Sequence, residues 1–213
     1  MAITELVVPT LKTDPVTQAT FINEVAPFLI KSLDTHANPP KSKHFGKILL
    51  ENGNDVSGDF RLGVGLEWED ASHFSSFVES ENFQTFKTLV KPHSIALPVP
   101  QLYNTDFEPI GVFDSTLTEV WQVKIGEGDG KAVESREAWE TFSHAVADAN
   151  GMKRNEKSIQ GTSLNLEERM WVGALGWESS EIRNKVLESP VVKEAKKSLD
   201  ALVWNTFVVA FAK

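Results

Sequence analysis

The sequence predicts an α+β protein, built as two tandem βαββαβ repeats whose antiparallel sheets pack face to face as a barrel within one chain. Three observations predict it. The first is an internal repeat. Leu66-Glu67-Trp68-Glu69, and the stretch through Phe77, Glu79-Ser80 and Phe83, are answered 109 positions later (66 to 175) by Leu175-Gly176-Trp177-Glu178, Val186, Glu188-Ser189 and Val192. The starts agree too, Thr4-Glu5-Leu6 matching Thr118-Glu119-Val120. The second is an element order that is the same in each half. The third is a strand, residues 60–68, with apolar or glycine residues on both faces, Arg61 and Glu67 excepted. Its outer face takes helices, and its other face is most simply covered by the second repeat's sheet. In a chain of 213 residues this reads as a first repeat over 1–103, a linker over 104–114 and a second repeat over 115–213.

Each element has a local reason. Residues 3–8 form a short β-branched strand stopped by Pro9. Asp14-Pro15 is a helix start, a capping side chain followed by proline at the first helical position. Ile22, Val25, Leu29 and Leu33 follow helical spacing, and Pro27 predicts a kink or break near Ala26. A strand over 44–51, the turn Asn52-Gly53-Asn54-Asp55 and the strand over 60–68 make a hairpin. In the latter, Leu62, Val64, Leu66 and Trp68 share one face, and Arg61, Gly63, Gly65 and Glu67 the other. Asp70 caps a helix with Phe74, Phe77 and Val78 inward, followed after an irregular 79–82 by Phe83, Phe86 and Val90. Residues 94–103 are the last strand, an edge or irregular one because prolines 92, 98 and 100 bracket it.

The second half repeats the order. A strand over 116–125 and a loop over 126–130 lead to a helix over 132–149, with Trp139, Phe142, Val146 and Ala149 on one face and Asn150-Gly151 as its stop. Strands follow near 155–163 and 168–177. Ser179 caps the next helix, with Ile182, Val186, Ala195 and Leu199 inward, and Pro190 restarts it as a new segment. Residues 203–211 are the final strand. The order is the ferredoxin-like split βαβ arrangement, a four-stranded antiparallel sheet with both helices on one face.

Composition narrows the function classes. Hydrophobic content of 41% and charged content of 24% are ordinary for a globular domain. A net charge of −9 without a lysine or arginine run argues against nucleic acid or an anionic membrane as partner. With no cysteine there are no disulfides, thiolate metal sites or cysteine nucleophiles. No basic region followed by a long apolar run opens the chain, and no apolar stretch approaches the ~20 residues of a membrane span. The expected location is the cytoplasm. Six tryptophans and thirteen phenylalanines beside one tyrosine make two aromatic cores, or an aromatic-lined pocket.

A strand ending in Trp-Glu (Trp68-Glu69, Trp177-Glu178) and a helix broken at Glu188-Ser189-Pro190 resemble the dimeric α+β barrel superfamily, most closely tandem members of its antibiotic biosynthesis monooxygenase-like branch. The resemblance covers the chain in element order, and in motif rests on 66–83 and 175–192. It implies a small-molecule enzyme without organic cofactor, acting on an aromatic or polyketide-like substrate by oxygenation, cyclisation or decarboxylation in a cleft between sheet and helices. The alternative it implies is a non-catalytic ligand-binding or stress-associated protein. The sequence departs from the branch where that choice is made. Phe77 and Val186 stand where the branch carries a helix histidine, and Asn82 and Val191 stand at the histidine of its Ser-Pro-His, with Glu81 for the proline in the first copy.

The remaining candidates come from the residues themselves. Of the five histidines, 36, 44, 73, 93 and 144, four lie in the first repeat. His73, in the first turn of its helix, and His93, where the chain returns to the sheet, are candidate bases, since imidazole titrates near neutral pH. Tyr103 is a candidate orienting hydroxyl. His36, Trp68, Phe77, Phe86, Trp121 and Trp171 are candidate substrate-binding walls. His44 is expected at a sheet end and His144 in solvent. Glu5 and Glu119, at matched strand positions, form a carboxylate pair if their face turns into the barrel, with Arg61 or Arg169 as partner. No His-x-His or His-x-x-x-His spacing supports a metal, and no phosphate loop or nucleophile elbow occurs. The expected partner is a small hydrophobic or aromatic molecule. The expected assembly is a monomer, with a weak homodimer through the edge strand at prolines 98 and 100.

Overall fold

The computed structural model describes residues 2–153 and 156–212. The first repeat supplies β1 (Ile3–Val7), β2 (Ser42–Glu51), its two-residue hairpin extension β3 (Asn54–Asp55), β4 (Leu62–Trp68) and β5 (Gln101–Thr105). The second supplies β6 (Leu117–Lys124), β7 (Ser158–Ser163), β8 (Met170–Trp177) and β9 (Asn205–Phe211). Within the repeats the strands run β2-β4-β1-β5 and β7-β8-β6-β9, all antiparallel. Pairing of β5 with β7 joins the sheets, and pairing of β2 with β9 closes them into one barrel. The predicted fold class is the observed one, and closure removes the sheet edges that two separate repeats would expose.

Alternation along the strands sorts the core into layers. Leu6, Ile48, Tyr103, Val120, Ile159, Val172 and Val209, drawn from both repeats, meet inside the barrel. Ile3, Leu66, Trp68 and Leu102 face outward to the helices of the first repeat, as Trp121, Trp171, Leu175 and Trp177 face those of the second. The linker also contributes to the interior. Residues 104–114 include the end of β5 and a short helix, α5 (Ile110–Phe113), which delivers Val112 and Phe113 into the barrel. Phe113 sits edge-on to Phe211 at 5.4 Å, in space left by Gly65, whose Cβ would lie 2.8 Å from the Phe113 ring. A glycine-containing strand face is thus what lets the linker plug the barrel.

The first helical segment is interrupted in the first repeat and continuous in the second, and the second segment is split in both. Asp14 caps α1 (Pro15–Thr20) by accepting from the Thr17 N–H at 2.9 Å. A π-turn (Phe21–Val25) then leads into α2 (Ala26–Asp34). Pro27 cannot donate a backbone hydrogen bond, and the π-turn just before it absorbs the mismatch without ending the helix. The extra residue rotates the face: Phe21 and Val25 are buried, whereas Ile22, expected inward, is 58% exposed. In the first repeat α3 (Ala71–Glu79) and α4 (Glu81–Val90) share a cap, Ser80, which donates to Phe77 O and accepts from the Phe83 N–H. In the second, α6 (Gly130–Asn150) is one helix ended by Gly151 at φ 68°, a left-handed stop suited to glycine. Ser179 caps α7 (Ser180–Leu187), and Pro190 opens α8 (Pro190–Asp200).

Three expectations are corrected. The strand read over 94–103 is only β5; residues 94–100 are an irregular strap touching the N-terminal segment through a Leu11–Ser94 bridge. β5 pairs with strands on both sides, so prolines 98 and 100 precede a paired strand and mark no sheet edge. Ala149 is exposed, and Ala147 is the alanine buried near that end of α6. Residue 155, where the reading of β7 began, lies outside the described residues.

Candidate functional site

Between the outer face of the first repeat's sheet and its helices lies a cleft of about 350 Å³. β1 and β4 give its floor, with Glu5, Val7, Val64 and Leu66; α3 and α4 give its aromatic wall, with Phe74, Phe77, Phe83 and Phe86; the strap closes one side with Leu97, Pro98 and Pro100. Strand and helix periodicities place these side chains together, since alternate β1 residues and successive turns of α3 and α4 face one another. Only Glu5 and Lys87 among the lining side chains carry charge, and Lys87, exposed at the rim, donates to Gln84 Oε1.

Glu5 is therefore the polar group of the floor. It is 5% exposed and lies across the sheet from Leu66 and Leu102. Trp68 Nε1–H donates to its Oε2 at 2.6 Å, a contact buried on all sides. Its Oε1 has no hydrogen-bond partner, and no cation pairs with it, among the described residues. Burial pushes this carboxyl up to about 7, and the Trp68 hydrogen bond only partly offsets that. A carboxyl poised there exchanges a proton at neutral pH.

The second repeat shows what this site would be without its special feature. Glu119 is the structural counterpart of Glu5: each lies across from the matched leucine of the next strand, Leu175 and Leu66. Trp177 Nε1–H donates to Glu119 Oε2 at 3.1 Å, as Trp68 does to Glu5. Arg183 then grips Glu119 bidentately, Nε–H to Oε2 at 2.7 Å and Nη2–H to Oε1 at 2.5 Å. Counting 109 back from 183 gives 74, and that residue is Phe74. Repeat one carries a phenylalanine where repeat two has the arginine that satisfies its buried carboxylate. Side-chain volume differs as well. In repeat two Trp121, Trp139, Trp171 and Phe142 pack edge to face over the sheet, where β1 offers the smaller Val7 at the Trp121 position.

The other sequence candidates distribute as follows. Phe77 and Phe86 line the cleft, and Trp68 lies behind its floor on Glu5. His36 packs edge-on against the back of Phe77 at 5.5 Å, its Nδ1 near Asn38 O, and is not a lining residue. His73 and His93 are half-buried and neither lines the cleft; His73 Nδ1 is buried without a partner. Tyr103 faces the opposite way, into the barrel. Its hydroxyl donates to Gln101 Oε1 at 2.8 Å and accepts from Gln122 Nε2–H at 3.3 Å, and burial pushes its ionisation upward. It therefore does not stand beside a cleft histidine, because odd and even residues of β5 face opposite sides of the sheet. Trp121 and Trp171 belong to the repeat-two core, Trp121 also walling that repeat's own groove. His44, expected at a sheet end, is buried inside the barrel against Phe113 and Phe211, and burial lowers its pKa.

Glu5 and Glu119 do not approach each other, because their faces turn outward to separate helix layers. Arg61 pairs with Glu51 and Arg169 with Asp129. Reading the residues alone missed Phe74 and Arg183. The 109-residue offset was the available signal, since it sets a cation in one copy against an aromatic ring in the other. Among the described residues no group of three His, Cys, Asp or Glu is arranged to hold a metal ion. No helix among them is long and apolar enough to cross a membrane.

No family model and no curated protein matches the sequence. Solved structures match over the whole chain. It is similar to an anthrone oxidase-like protein (TM-score 0.63, 12% identity, 100% of this chain and 92% of that one). It is also similar to a candidate monooxygenase from Fusobacterium nucleatum subsp. nucleatum (TM-score 0.62, 10% identity, 100% and 93%). A candidate monooxygenase from Lactobacillus acidophilus NCFM matches at TM-score 0.54 and 10% identity, over 99% and 93%. At these identities the likeness is one of fold. The chain has the dimeric α+β barrel fold, in the form where one polypeptide carries both halves.

Proposed function

We propose that this protein is a monooxygenase-like enzyme that needs no organic cofactor, and that it removes a proton from a neutral aromatic or polyketide-like substrate in the repeat-one cleft. The observation that carries the proposal is Glu5, a buried carboxyl without a cation, poised near neutrality on the floor of an apolar, phenylalanine-walled cavity. Such a base is effective because its pKa lies near working pH and water competes little for it. The fold shared with an anthrone oxidase-like protein supports the same class of substrate.

The chemistry is simple to balance. A methylene flanked by an aromatic ketone gives one proton to Glu5, leaving a delocalised carbanion held between Phe74, Phe77 and Phe83. Dioxygen accepts the electron pair, the peroxide is protonated, and loss of one water leaves a new carbonyl. Trp68 is a positioning residue: its N–H fixes Oε2 and leaves Oε1 toward the substrate. The functional unit is one chain, and His73 and His93 lie outside the cleft lining. A binding protein without turnover is the second reading, favoured by Phe77 in the place where the resembled branch has a histidine.

Anthrone, incubated with the protein in air, tests both. Oxygen uptake should rise with pH as one group near pH 7 ionises, and Glu5→Gln should lower kcat by at least about 100-fold with substrate binding kept. An unchanged rate in Glu5→Gln would sink the role of Glu5. Tight binding without oxygen uptake in the wild type would establish the binding protein instead.

A further inference from the structure

Repeat two has a groove at the place where repeat one has its cleft. It measures about 530 Å³, and its lining includes Glu119, Trp121, Arg183, Lys193, Lys196 and Trp204. Glu119 corresponds to Glu5, and Lys196 to Lys87 by the 109-residue offset, so this is the same niche with different chemistry. We infer that the repeat-two groove is a separate binding site for a small anion with a flat ring, such as an aromatic carboxylate.

Charge is the first support. Among the lining side chains Arg183, Lys193 and Lys196 outnumber Glu119 and Asp200, and the third carboxylate, Glu188, reaches Lys193 from outside the lining. Glu119 is fully engaged by Trp177 and Arg183, so it offers an incoming group no free base. Lys193 pairs with Glu188, and Lys196 with Asp200, on a solvated helix surface. Exposed pairs of this kind are weak and exchange readily for a better acceptor.

Hydrogen bonding is the second, independent support. Trp121 lines the groove, is fully buried, and its Nε1–H has no partner. A buried donor left unmade is costly, and an acceptor oxygen that displaces the side chains covering it would relieve it. The groove therefore offers cations beside a buried donor, with Glu119 fully engaged and Asp200 paired to Lys196, which matches a carboxylate, an acceptor-only group. Trp204, 55% exposed, supplies an indole against which a ring can lie. Opposite preferences follow for the two niches. The repeat-one cleft takes neutral molecules, because an anion there would meet the Glu5 carboxylate, and the repeat-two groove takes anions.

Calorimetric titration of the full chain with 2-naphthoate at pH 8, with neutral 2-naphthol as control, tests this without reference to turnover. The expected result is saturable one-to-one binding of naphthoate that weakens with salt and is not displaced by naphthol. Lys193→Gln/Lys196→Gln, both on the helix surface, should weaken it about tenfold or more. Trp121→Phe, which removes the N–H and keeps a ring, should weaken it several-fold. Val7→Trp, which fills the repeat-one cleft, should leave it unchanged. No naphthoate binding at millimolar concentration overturns the inference, as does binding that survives the double lysine variant or disappears in Val7→Trp. Loss of oxygen uptake in Glu5→Gln with naphthoate binding intact would separate the two sites.

Discussion

Phe74 occupies in repeat one the position from which Arg183 reaches its buried glutamate in repeat two, and Glu5 is left with the Trp68 N–H alone. Two copies of one fold have thus resolved the same buried carboxyl differently. Repeat two resolves it as an ion pair, which needs a partner and closes the site. Repeat one leaves it unpaired beside a cavity, an arrangement that lowers stability and raises reactivity.

The stability difference has a sign that pH reveals. Glu5 holds its proton up to about 7 when folded, against an ordinary 4.5. Its contribution is therefore fully present below pH 4.5 and is lost as pH rises through 7. The gap at 1.36 kcal/mol per pH unit amounts to about 3 kcal/mol. Glu5→Gln should be close to wild type in urea unfolding at pH 4.5 and more stable by up to about 3 kcal/mol at pH 8. Parallel pH profiles for the two proteins would refute the perturbed carboxyl.

Phe74→Arg should rebuild the repeat-two arrangement in repeat one. A guanidinium at that position reaches the carboxylate, so the fall in stability between pH 4.5 and pH 7 should flatten. Oxygen uptake should disappear, because a paired carboxylate is a poor base in a cleft that has lost an aromatic wall. A retained pH slope with intact folding would show that Glu5 lies out of reach of position 74.

Arg183→Leu makes the opposite change. Glu119, 4% exposed, would lose its bidentate partner and remain buried. The expected loss is about 3–5 kcal/mol at pH 8, smaller at pH 5 where the carboxyl can take up a proton. Differential unfolding at the two pH values checks it, and equal losses would count against burial as the cause.

Phe113→Ala tests the linker as part of the barrel. The side chain is 1% exposed and packs on Gly65, His44 and Phe211. Truncation should cost about 3–5 kcal/mol by leaving a cavity inside the barrel. If 104–114 were a passive tether, the cost would stay within about 0.5 kcal/mol.

Much of this architecture was legible from local signals. Asp14-Pro15, Asp70 and Ser179 mark helix starts, Gly151 a helix end, and the Trp68/Trp177 match the two copies; each acts through contacts a few residues away or through strict strand alternation. The strap at 94–100 reads as strand in the sequence because prolines 98 and 100 are compatible with a sheet edge, whereas in the structure residues 97–100 form no ladder. His73, His93 and Tyr103 were singled out by residue type. Their side-chain directions depend on helix phase and strand parity near the ends of elements, and those are set by packing.

By itself the sequence determined the repeats, the element order, the pairing of two sheets and the matched carboxylates Glu5 and Glu119. All of these follow from periodicity and from the need to cover an apolar sheet face. Only the tertiary structure decided that Glu5 faces a cavity and pairs with no cation while Glu119 meets Arg183, and that the linker fills the barrel with Phe113. Burial and pairing are properties of side chains that are far apart in the chain, and a carboxyl's proton affinity depends on that surrounding and on nothing local to its own residue.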